Sequence, residues 1–106
     1  MGVNAARGEV ALVIDGQERR LRLTLGALAG LETKLGAGSL VGIAERFEGG
    51  EVRAAELMAL LAAGLEGAGE PCDEAALASA EIEGGAAAAL HAGLSLLARS
   101  FGADGA

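Results

Sequence analysis

His91 and Ser95 stand four residues apart in a helical pattern near the C-terminus, and they form the one Ser/His pair close in sequence. A serine nucleophile works from a sharp exposed turn, beside an oxyanion hole and a carboxylate that orients the histidine. A serine in mid-helix has none of these, so the pair predicts no hydrolase. Cys72 is the single cysteine, which rules out an intramolecular disulfide. It follows Pro71 in an acidic stretch and reads as an ordinary thiol without activation. With one His and one Cys, the chain cannot assemble a transition-metal ligand set.

Two weaker patterns also fail on their chemistry. Glu81 and Glu83 flank Ile82, and on a helix their carboxylates stand about 200° apart, so they read as solvated charges. Residues 36–42, GAGSLVG, carry the glycines of a phosphate loop, but they follow a helical stretch in place of a strand and lack the lysine. The expectation is a protein with no catalytic residues, no cofactor and no metal, and hence no enzyme.

Charge narrows the partners. The formal net charge is -7, and the acids gather after Gly36. Binding to phosphate backbones depends on clustered Lys and Arg displacing counterions, and the only basic cluster is Arg19, Arg20 and Arg22. On a strand, that cluster reads as a solvated face that discourages edge pairing. Nucleic acid is therefore not an expected partner. Residues 84–98, the longest stretch of low polarity, are too short to span a bilayer and are interrupted by His91 and Ser95. The opening MGVNAARGEV has no apolar run behind a basic segment, so no signal peptide is read and a cytoplasmic protein is expected.

The elements follow from turn and cap signals. Residues 9–23 read as a β-hairpin around Asp15-Gly16, the dipeptide of a two-residue type I′ turn. Leu21 and Leu23 alternate with Arg20 and Arg22, whereas Val10 to Ile14 is continuously apolar, as in a strand covered on both sides or touching a partner. Helices are predicted over 25–35, 39–48, 53–66, 73–82 and 86–101, with a tail at 102–106. Thr24 caps the first and Gly36 ends it. The fold class is α+β, one domain over 1–106: an N-terminal antiparallel β-hairpin with four or five short helices packed on one face. The first and last helices are expected to cover the apolar face of the hairpin.

Two leucine stripes are the candidate interaction residues. Leu57, Leu60, Leu61 and Leu65 share one side of the third helix, with Gly64 allowing close backbone approach. Ala87, Leu90, Leu94, Leu97 and Phe101 repeat at intervals of three and four along the last, a heptad-type seam. Each stripe is either intramolecular core or a partner-binding face. A chain of 106 residues buries about 60–70% of its extended surface. Phe47 and Phe101 are the only aromatics and glycine is abundant at 18 residues, so self-association or a partner is a natural source of added stability.

The succession RGEVALVIDGQERRLRLT, LGALAGLETKLG and GSLVGIAERFEGGEVRAAELMALLAAGLEGAG resembles the small tail-module proteins of gene transfer agents and related phages of alphaproteobacteria. The likeness covers residues 7–69, through the arginine-rich strand, the ALAGLE helix and the leucine helix closing in GLEGAG. The last helix matches only in character. The resemblance implies a tail assembly chaperone, although such families also carry the label tail tube or minor tail protein. It implies the tape measure protein as partner, with tail tube subunits as further partners, while a second copy is a candidate only from the thin core and the heptad seam. It carries no residue-level binding motif, so the partner-facing candidates rest on periodicity: Leu57, Leu60, Leu61, Leu65, Leu90, Leu94, Leu97 and Phe101.

Overall fold

The structure, a computed structural model, describes residues 8–36 and 40–100. β1 (Val10–Ile14) and β2 (Gln17–Leu21) pair antiparallel, with Val10 opposite Leu21 and Ile14 opposite Gln17. Asp15 and Gly16 take φ of 53° and 80°, the left-handed pair that a type I′ turn demands. The hairpin therefore forms where its turn residues place it. β1 is nevertheless covered on one face only: Val10, Leu12 and Ile14 are buried, Val13 is half-buried and Ala11 is exposed. Its unbroken apolar run does not make it a two-sided strand.

Five helices follow among the described residues: α1 (Leu25–Leu35), α2 (Leu40–Glu48), α3 (Ala54–Gly67), α4 (Glu74–Ser79) and α5 (Gly85–Ser100). Local chemistry sets their ends. Thr24 Oγ1 accepts from the Ala27 N–H at 3.1 Å, and Gly36 closes α1 at φ 63°. The Glu56 carboxylate accepts from the Arg53 backbone N–H at 3.1 Å, and Asp73 Oδ1 accepts from Ala76 N at 2.8 Å.

The arrangement is α+β as expected, with two corrections. α4 stops at Ser79, because Ala80 turns extended and residues 81–83 cross to the outer edge of β1. There Ile14 bridges Ile82, Asp15 N donates to Glu81 O at 2.7 Å, and Glu83 N donates to Val13 O at 3.1 Å. Glu81 and Glu83 thus flank a bridge residue and do not sit on a helix.

The second correction concerns the cover of the hairpin. α3 packs on β2 and α5 on β1, while α1 lies against α3. Backbone geometry at the end of the hairpin directs this. Arg22 N donates to Gly64 O at 2.8 Å, so the chain leaving β2 runs alongside α3 before α1 begins. The core lies between hairpin, α3 and α5: Leu21, Leu60, Leu65 and Leu96 are fully buried, with Phe47 closing it from α2. Gly64 permits the approach its position implies, since a Cβ there would stand 2.9 Å from Leu96 Cδ1 and 3.0 Å from Leu21 Cβ.

Candidate interaction surfaces

The leucine stripes divide once the helices are packed. Leu60, Leu61, Leu65 and Leu97 are buried in the core. Leu57 and Leu94 are half-buried and packed against it, and Leu90 is half-buried. Phe101 lies outside the described residues. The buried line of α5 runs through Ala89, Ala92, Gly93, Leu96 and Leu97, one residue round from the heptad seam, and Ala87 is exposed. The offset arises because α5 presents its small residues to α3: a Cβ on Gly93 would meet Leu57 Cδ1 and Leu60 Cδ2, each at 3.0 Å.

The polar candidates do not converge. His91 is exposed and Ser95 half-buried, and both border a cleft of about 450 Å³ between β1 and α5. Arg99 reaches across this cleft and donates to the Glu9 carbonyl at 3.2 Å. Cys72 is half-buried, 3.7 Å from the carbonyl of Asp73. Among the described residues, no group of three or more His, Cys, Asp or Glu is placed to hold a metal ion. Of the loop at 36–42, residues 37–39 lie outside the described set, and the segment joins two helices.

The arginine cluster of β2 works inside the molecule. Arg19 Nε donates to Glu70 Oε1 at 2.8 Å and Arg20 Nε to Glu70 Oε2 at 3.2 Å, so one carboxylate is gripped by two guanidinium groups. The bond from Arg19, joined by that from Arg20, holds the Glu70 carboxyl below the usual carboxylate range despite its partial burial. Glu56 is lowered in the same sense, chiefly by the Arg53 backbone N–H and further by Arg46. Arg46 and Glu56 pair across α2 and α3, and Lys34 pairs with Glu74.

The outer edge of β1 is occupied over much of its length by the chain's own groups, and the edge strand β2 carries the charged residues Glu18, Arg19 and Arg20. In an antiparallel ladder alternate residues turn their backbone groups outward. On β1 these meet residues 81–83 and Arg99, and beyond β2 the Arg22 N–H meets Gly64 O. Glu70 stands beside the arginines of β2. A strand managed in this way resists pairing with another chain.

A larger concavity lies on the other side of α3. It is a groove of about 1170 Å³ with Gly26, Ala27 and Gly30 of α1 on one wall and Ala59, Ala62 and Ala63 of α3 on the other. Residues 71–74 complete it. Periodicity searches for large apolar residues pass over such a surface, because its walls are glycine and alanine. The sequence signal that marks it is the four-residue spacing of Gly26 and Gly30 within a helix.

Fold and packing together define a small α+β domain of a β-hairpin and short helices around a leucine core. Residues 7–103 match the family model described as the phage tail tube protein GTA-gp10, and the chain belongs to that family of gene transfer agent and phage tail proteins. Neither a curated protein nor a solved structure matches the chain. No helix among the described residues is long and apolar enough to cross a membrane.

Proposed function

We propose that this chain is a non-enzymatic tail assembly chaperone that binds the tape measure protein while the tail is built. The supporting observation is the guarded hairpin. A subunit that joins a tube through its sheet needs a free strand edge, and here residues 81–83 and Arg99 take up much of the outer edge of β1, while β2 carries Glu18, Arg19 and Arg20, charges that discourage edge pairing. An acidic exterior of net charge -7 suits a protein that keeps an aggregation-prone, helical partner in solution. Its concave helical surface suits a helix laid in a groove.

The family's description as a tail tube protein favours a second reading, a structural component of the finished tail. Co-expression with the tape measure protein of the same gene cluster, followed by affinity capture and light-scattering mass, separates the two. A stoichiometric soluble complex, with the chain missing from purified particles, supports the chaperone. Failure to form a complex, with the chain present in particles, establishes the structural role.

A further inference from the structure

Five helical glycines of this protein fall into two groups. A Cβ on Gly64 or Gly93 would crowd leucines at 2.9–3.0 Å, and one on Gly67 would lie 2.0 Å from the Arg22 carbonyl oxygen, so the molecule's own packing requires all three. A Cβ on Gly30 would meet nothing within 4 Å, and one on Gly26 only Thr24 Oγ1 at 3.9 Å. Glycine in a helix is destabilising relative to alanine, and among the described residues nothing packed against α1 calls for it at these two positions. Both face the groove between α1 and α3.

The groove has the size and charge of a protein-binding surface. Its volume of about 1170 Å³ exceeds the range of about 300–1,000 Å³ usual for small-molecule pockets. Solvent-facing helix surfaces are ordinarily charged or polar. The exposed residues of α1 are instead Leu25, Gly26, Ala29, Gly30, Thr33 and Lys34, with Leu25 83% exposed. Of the charged side chains around the groove, Lys34 is spent on Glu74, which leaves Glu66 and Asp73 as an acidic excess.

We propose that the groove receives an amphipathic helix of the partner, crossing α1 at Gly26 and Gly30 with its apolar face on Ala62 and Ala63 and its basic flank toward Glu66 and Asp73. Glycine at both crossing positions brings two helix axes to the near end of the usual 8–10 Å range, about 8 Å. Two such grooves docked face to face would bring Glu66 and Asp73 of one copy toward those of the other, so the rim favours a basic helix over that arrangement. This assignment rests on the chaperone reading and names the face and the chemistry through which it acts.

Cys72 borders the groove and is the only cysteine, so its alkylation rate reports occupancy. The probes are helical peptides tiled along the tape measure protein of the same gene cluster. Gly30→Leu fills the groove from α1, Glu66→Lys reverses a rim charge, and Thr33→Leu is the control, exposed on the same helix but outside the groove. The expected result is one basic peptide that shields Cys72. It binds at least about tenfold more weakly to Gly30→Leu and to Glu66→Lys and normally to Thr33→Leu, while the urea midpoint of Gly30→Leu does not fall.

A tape measure complex that leaves Cys72 reactive and tolerates Gly30→Leu overturns the groove while sparing the chaperone reading. Absence of any tape measure complex overturns both. Shielding of Cys72 by self-association alone assigns the groove to a second copy and overturns the basic helix.

Discussion

The backbone N–H of Arg22 donates to the carbonyl of Gly64 at 2.8 Å, which couples the end of the hairpin to the middle of α3. One helical turn on, Gly67 lies so close that a Cβ would stand 2.0 Å from the Arg22 carbonyl oxygen. The obstacle is backbone and cannot rotate away. Gly67→Ala should therefore lose about 1–3 kcal/mol of stability, the usual penalty of overpacking. Gly30→Ala, where a Cβ meets open space, should gain about 0.5–1 kcal/mol from helix propensity alone. Urea unfolding of the two variants checks the contrast.

Acid should weaken the fold through Glu70 and Glu56. Both carboxyls lie below their ordinary value of 4.5 in the folded chain, so near that pH the unfolded chain binds more protons than the folded one. Their contribution is in force above the ordinary value and disappears as pH falls through the lowered one. Denaturation midpoints compared between about pH 7 and about pH 3 should fall less for Glu70→Gln than for the parent.

Leucine substitutions should separate folding from binding. Leu61 is 2% exposed, and Leu61→Ala should cost about 2–5 kcal/mol. Leu61→Asp should unfold the domain, so loss of a partner in that variant reports only on the fold. Leu90 is half-buried, and Leu90→Asp should leave a folded chain with a native circular dichroism spectrum.

The short bridge on the edge of β1 hangs on Asp15. Its backbone N–H donates to Glu81 O at 2.7 Å, and its carboxylate accepts from Glu81 N at 2.8 Å, while it occupies the left-handed turn position at φ 53°. Asp15→Ala loses the acceptor and strains the turn, for about 1–2 kcal/mol. The amide protons of Glu81 and Glu83 should then exchange faster than in the parent, a change that exchange-resolved NMR measures directly.

Elements with local causes were legible from residues alone. Asp15-Gly16 sets the hairpin turn, Thr24 and Gly36 bound α1, and Asp73 starts α4, because turns and caps are made by groups a few residues apart. What lay beyond local reach needed the packed molecule. Residues 81–83 have no internal reason to be extended, and it is the open edge of β1 that draws them out of the helix. The heptad seam of α5 counts large residues, whereas the actual contact with α3 is made through Gly93, where absence of a side chain lets Leu57 and Leu60 enter.

The same distinction governs function. The order of residues determined that no catalytic or metal set was expected, that the chain is acidic, and that its pattern follows a tail-protein family. Only the tertiary structure decided that Leu60, Leu61, Leu65 and Leu97 are interior and that Gly26 and Gly30 look out on an open groove. Periodicity says which residues share a face of a helix. Which face is covered depends on helices that meet across long stretches of chain, and that is settled by burial in the folded whole.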